Sequence, residues 1–173
     1  PSLRTQEGFS YICLLIVLAV IAIPALAENS RSVILISIDG FSATRPLGPN
    51  LQRLRNSGTA ASGLIPQYPS DTFPGHTSMV TGVRPARHGI VSNTIFNPGD
   101  PYGRAAWYLE SSRIQVPTLW TMAHNNGLSV GAVAWPVTLG AAIDKLLPSA
   151  FPTPAGKTDR EYLSEVSTPG LVD

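Results

Sequence analysis

The stretch VILISIDGFS, running from Val33 to Ser42, decides the fold. It opens with a run of apolar or small residues, mostly β-branched, which predicts a strand buried on both faces, as in a parallel sheet. A hairpin strand half exposed to water would alternate polar and apolar side chains, and VILISI does not. The run ends in Asp39-Gly40, so a carboxylate is expected at the strand's carboxyl end, the edge where open α/β sheets collect their ligands. Asp-Gly is also a strong hairpin-turn signal. The residues alone therefore leave Asp39 between a metal ligand, since hard carboxylates suit zinc, and a turn former.

Outward from this strand lies YPSDTFPGHTSMVTGVRPARHGIVSN, from Tyr68 to Asn93. Pro74 is suited to a helix's first turn, where no intrahelical donor is lost. Thr72 is thus expected at or just before a helix N-terminus, where free backbone N–H groups and the helix dipole favour an anion. Such a hydroxyl is either a plain N-cap, the commoner role of threonine, or a nucleophile that needs a base or metal to activate it. Asn93 reads as a turn residue or as an amide donor aimed at a charged oxygen. Phe73 is either core or a platform for a base.

The two segments together resemble the nucleotide pyrophosphatase/phosphodiesterase family of the alkaline phosphatase superfamily, from about Ser32 to the end of the chain. The resemblance implies an α/β fold: an alkaline-phosphatase-like core with a mainly parallel sheet flanked by helices, of which this chain holds the N-terminal portion. It implies that Thr72 is the nucleophile, forming a covalent phospho-threonine, and that Asp39 and Thr72 ligate zinc. It implies that Asn93, closing HGIVSN, contacts the substrate phosphate, and that Phe73 stacks on a nucleobase in some members. A complete site of this kind holds two zinc ions. The remaining ligands, a D-x-x-x-H motif, a later Asp-His pair and a distant histidine, do not occur in this sequence, whose last histidine is His124. The chain is accordingly expected to be the N-terminal part of a longer enzyme and inactive by itself. His76 and His88 match family positions regarded as structural, His124 reads as an ordinary helix residue, and Asp71 receives no role.

Composition narrows the classes. The formal net charge is +1 with 13% charged residues, so no basic stripe for nucleic acid is visible. YICLLIVLAVIAIPALA, Tyr11 to Ala27, ends in the small-x-small form of a signal-peptidase site. Residues 1–27 are read as a signal peptide rather than a retained anchor, and 28–173 as part of one phosphodiesterase-like domain. The expected location is periplasmic or extracellular, with no stable membrane span after cleavage. The single cysteine, Cys13, falls in the leader, which leaves the mature chain no disulfide or thiolate site.

Along the rest of the chain, LQRLRNSG predicts a short helix with Asn50 as a possible cap and Gly58 as its stop. Thr59–Ile65 is a candidate second strand and the nucleophile helix should end near Gly82. Ile95 to Arg104 reads as a loop, and Trp107 and Tyr108 as aromatics bordering a pocket. Pro117 to Asn126 predicts a helix closed by Gly127, followed by a buried strand from Leu128 to Trp135. Thr158 with Glu161 forms a capping box.

The leading expectation is zinc-dependent hydrolysis of phosphodiester or pyrophosphate bonds in small nucleotide-like substrates. A phosphomonoesterase or phosphonate hydrolase on the same scaffold is the first alternative, and a non-catalytic binding module the second. A sulfatase would need C/S-x-P-x-R, which is absent.

Overall fold

The structure, a computed structural model, describes residues 32–99 and 106–172. The expected signal peptide, Cys13, and residues 100–104 of the predicted loop lie outside the described residues. The chain divides into two units at Ile38/Asp39. Of the first, residues 32–38 are described, with no secondary structure assigned. Val33 is 93% exposed and Ile34 81%. The expected buried strand is therefore not formed there: a segment becomes a strand only by ladder pairing, and side chains as apolar as these are buried only by neighbours on both faces.

The second unit is a mixture of helices and small sheets. Helix α1, Pro49–Ser57, starts at Pro49 rather than capping on Asn50, because Gly48 occupies the cap position; Gly58 follows its last turn as expected. Thr59–Ile65 forms no strand, and Ile65 is 93% exposed. Helix α2, Thr72–Thr81, buries Phe73, His76, Thr77 and Val80, the spacing of one helical face. It closes on Gly82, whose φ of 69° only glycine adopts without cost and whose N–H donates to the Ser78 carbonyl. The RPARHG turn is a single helical turn, α3, Pro85–His88, ended in the same way by Gly89 at φ 85°. A side chain at Gly89 would also meet the Gln115 side chain at 2.7 Å.

Strands β1, Thr94–Ile95, and β2, Ala106–Trp107, pair antiparallel, with Thr94 opposite Trp107. A 3₁₀ turn at Ser111–Arg113 leads to helix α4, Leu119–Asn125, capped by the Thr118 hydroxyl, which accepts from the Thr121 N–H. Next come β3, Gly131–Val133, and β4, Lys145–Leu147, a parallel pair with Gly131 opposite Lys145. The predicted strand Leu128–Trp135 thus shrinks to its middle. It pairs on one side only, and Val133 stays 72% exposed. Helix α5, Asp159–Val166, carries the predicted capping box: the Thr158 hydroxyl accepts from the Glu161 N–H, and the Glu161 carboxylate accepts from the Thr158 N–H.

Two apolar clusters hold this unit. Val80, Trp120, Ile143 and Leu146 form one, and Phe73, Ile90 and Val137 the other; Ile114 packs against both. Helix α2 contributes to each, Val80 to one and Phe73 to the other, so its placement is fixed from two sides. No helix among the described residues is long and apolar enough to cross a membrane.

Candidate active site

Asp39 sits in a tight turn with Gly40, whose φ is 64°. The Gly40 N–H donates to Asp39 Oδ1 at 3.0 Å, which orients the carboxylate. Asp39 Oδ2 then accepts the Thr72 hydroxyl at 2.8 Å. Thr72 is the first residue of α2 and Asp71 its N-cap, so the hydroxyl stands on the rim of the helix rather than under it. The turn at Asp39 is not a hairpin, since no ladder joins its flanks among the described residues.

The start of α2 is more fully satisfied than a row of free N–H groups would be. The Phe73 N–H donates to Asn93 Oδ1 at 2.8 Å, Pro74 has no N–H, and the Gly75 N–H donates to the Asp71 carbonyl. The expected anion-attracting backbone donors are thus reduced by their own bonds. Asn93 is held in place by its backbone, whose carbonyl accepts from the Tyr108 N–H at 3.1 Å beside the β1–β2 pair. Because its Oδ1 takes an N–H donor, the orientation of its amide is settled, and Nδ2 carries the two hydrogens it can give.

Phe73 is 6% exposed and packs on Ile90 and Val137, with its ring 5.5 Å from that of Trp107 at a 53° tilt. His76 is 8% exposed, and its Nδ1 meets the Thr72 carbonyl at 2.7 Å. A carbonyl only accepts, so that nitrogen carries the proton. The His76 ring lies edge-on to Trp135, with centroids 5.2 Å apart. Trp135 was not visible as a site neighbour in the sequence, where it reads as the end of a strand; the Trp-Pro step breaking that strand is the one local sign.

His88 is fully buried and ties α2 to the loop after α3. Its Nδ1 accepts from the Ile90 N–H at 3.2 Å and its Nε2 lies 3.0 Å from the Ser78 hydroxyl. The first contact places the ring proton on Nε2. Burial pushes the imidazole below its ordinary value of 6.5, and the Pro74 carbonyl, which favours the charged ring, opposes this only in part. The unfolded chain therefore takes up this proton at higher pH than the folded one. This contribution to stability is complete above about pH 6.5 and is lost as pH falls from there through the folded-state pKa. Denaturation midpoints measured at about pH 7.5 and about pH 5 should show a smaller acid loss for His88→Gln than for the wild type. Equal losses would contradict the assignment.

The zinc centre that the resemblance implies is only partly matched by these residues. Asp39 Oδ2 and Thr72 Oγ1 are two hard oxygens close enough to share one cation. A catalytic zinc needs at least three protein ligands, and no group of three His, Cys, Asp or Glu able to hold a metal occurs among the described residues. His76 and His88 both face the scaffold. The described residues by themselves do not make up a zinc centre.

Residues 33–173 match the sequence model of the type I phosphodiesterase / nucleotide pyrophosphatase family. Ectonucleotide pyrophosphatase/phosphodiesterase family member 1 of Mus musculus is 33% identical over 134 residues, covering 71% of this chain and 14% of the relative. Family member 3 of Bos taurus is 33% identical over 133 residues, 69% of this chain and 14% of the relative. An uncharacterized pyrophosphatase/phosphodiesterase of Schizosaccharomyces pombe is 49% identical over 70 residues, 39% of this chain and 14% of that protein. The chain thus spans 14% of the length of each of these relatives. With the match running over the whole of the second unit, the chain belongs to the type I phosphodiesterase / nucleotide pyrophosphatase family.

Proposed function

We propose that this chain carries the nucleophile side of a hydrolase site that cleaves phosphodiester or pyrophosphate bonds in nucleotide-like substrates. The observation that supports this best is the 2.8 Å contact between Thr72 Oγ1 and Asp39 Oδ2, made across 33 residues of sequence at the rim of a helix. The cap position belongs to Asp71, so the Thr72 oxygen has no capping duty toward the N–H groups of its own helix. Here the oxygen is bonded to a carboxylate from a separate turn, with two lone pairs left to meet an electrophile.

In the proposed reaction Thr72 Oγ attacks phosphorus in line with the leaving oxygen. A Thr72 O–P bond forms as the P–O bond to the leaving group breaks, the hydroxyl proton ending on the departing oxygen, giving a phospho-threonine. Water then breaks the threonine O–P bond and releases the phosphate product, and the hydroxyl is restored. Asp39 receives the hydroxyl hydrogen bond and so sets the direction of the attacking lone pair. Asn93 Nδ2 donates to a non-bridging oxygen, where charge grows as the bond forms. Two zinc ions belong to the same proposal, with Asp39 and Thr72 as ligands to one and the others drawn from outside this chain; bound zinc would supply a positive charge that lowers the hydroxyl's pKa. Phe73 would contribute a ring edge to a base-binding wall with Trp107, since little of it reaches the surface.

The mainly parallel alkaline-phosphatase-like core, export to the periplasm or cell exterior, and a signal peptide over residues 1–27 are parts of this reading. The ectonucleotide names of the relatives support the location. The test is turnover by the whole protein of a nitrophenyl nucleotide diester against nitrophenyl phosphate, before and after chelation and zinc return. Diester preference, lost on chelation and restored by zinc, is expected. Preference for the monoester would favour the phosphomonoesterase alternative, and no turnover of either a binding module.

A further inference from the structure

We propose that His76 is a positioning residue for Thr72, acting with Asn93 as a clamp on the single peptide unit that follows the nucleophile. The inference rests on the proposed role of Thr72. The peptide unit between Thr72 and Phe73 has one acceptor, the Thr72 carbonyl, and one donor, the Phe73 N–H. His76 Nδ1 holds the first at 2.7 Å and Asn93 Oδ1 holds the second at 2.8 Å. Both ends of the plane are thus gripped by side chains from different elements, one from the next turn of α2 and one from the residue before β1. With the plane held, ψ of Thr72 is fixed, and with it the direction of its Cα–Cβ bond and the arc its hydroxyl can sweep.

First turns of helices are where backbone bonds are fewest and ends fray. An unclamped Thr72 would therefore be the least ordered residue of α2. His76 reaches it because residues four apart lie on one helical face. The imidazole is itself backed by Trp135, edge-on at 5.2 Å and 75°. Trp135 is delivered by a strained turn: Ala134 has φ 51° and Val137 φ 58°, and Val137 is wholly buried in the cluster beneath Phe73. A β-branched residue at positive φ is an uncommon expense of conformational energy, and such outliers persist where the surroundings dictate them. The order of dependence is strained turn, indole, imidazole, peptide plane, hydroxyl.

The experiment uses the whole protein with His76→Leu, His76→Asn and Thr72→Ala. Asparagine places an N–H donor near the position of Nδ1, whereas leucine fills the space without one. Displacement of a reacting group by about 1 Å is worth about 10²-fold in rate. His76→Leu should therefore lower kcat per folded molecule by about 10- to 100-fold with KM within about twofold, and His76→Asn should recover kcat to within about threefold of wild type. A purely structural histidine would lower the amount of folded protein and leave kcat per folded molecule unchanged in both variants, which would overturn the proposal. An asparagine variant as slow as the leucine one would overturn it as well. Should His76→Leu not fold, His76→Ala titrated with free imidazole takes its place, with recovery of kcat expected and its absence counting against the clamp. Activity surviving Thr72→Ala sinks the proposed function itself, whereas its loss there beside an unchanged His76→Leu sinks only this inference.

Discussion

Thr72→Ala in the whole protein is expected to lower kcat by on the order of 10⁴-fold, as removal of a covalent nucleophile does. At about 1.4 kcal/mol per tenfold, that is roughly 5 to 6 kcal/mol of barrier. Stability should barely move by comparison. The hydrogen bond lost is a single exposed one from Thr72 to Asp39, of a kind that contributes about 1 kcal/mol, and alanine is a better helix former than threonine. The gap between the two effects is what makes the experiment decisive. If Thr72 were only the opening residue of α2, both numbers would be small. Thr72→Ser keeps the oxygen and should keep measurable turnover, with the phosphoryl group trapped on serine in place of threonine. Rapid acid quenching followed by mass spectrometry of the peptide containing residue 72 reads the adduct directly. Full activity in the alanine variant would remove Thr72 from the chemistry.

The sequence showed some parts of this structure and not others, for definite reasons. Helix α2 with Thr72 at its head, its stop at Gly82, and the Thr158–Glu161 box were all legible, because each is written in residues within one or two turns. The strands were not. Val33–Ile38 and Thr59–Ile65 have the composition of strands, but a strand exists only with a partner, and composition names no partner. Leu128–Trp135 kept the three residues that β4 pairs; residues 128–130 before them are assigned no strand, and Ala134 and Trp135 go to the turn that follows. Within the site, the nearness of Asp39 to Thr72 could be expected from the resemblance but not from any spacing, since the two lie 33 positions apart with loop and helix between them. The bond from the Phe73 N–H to Asn93 was anticipated by neither. It spans 20 residues and depends on the α3 turn, the buried His88 and the β1–β2 pair all holding the chain in place. Tertiary contacts between short polar side chains leave no periodic trace, which is why sites are harder to read than helices.

That unexpected bond adds a structural duty to the catalytic one proposed for Asn93, and a pair of substitutions should divide them. Asn93→Ala removes both the acceptor for the Phe73 N–H and the Nδ2 donor. Loss of the acceptor at a helix start should cost about 1 kcal/mol of stability. Loss of a donor aimed at a phosphoryl oxygen should lower kcat by about 10²- to 10³-fold. Asn93→Asp restores the acceptor at nearly the same place, since Oδ1 is retained, and the negative charge suits a helix N-terminus. Its stability should return to near that of the wild type. Its kcat should not, because the group facing the substrate is now an acceptor and an anion set against another anion. Thermal midpoints and steady-state rates on the same four proteins, wild type, the two Asn93 variants and Thr72→Ala, separate the cases. A residue that only held the helix start would give a slow, unstable alanine variant and a fully active aspartate variant. With the proposed role of Asn93, stability and rate should part company at that one side chain, because Oδ1 takes the Phe73 N–H and Nδ2 would be left for the substrate.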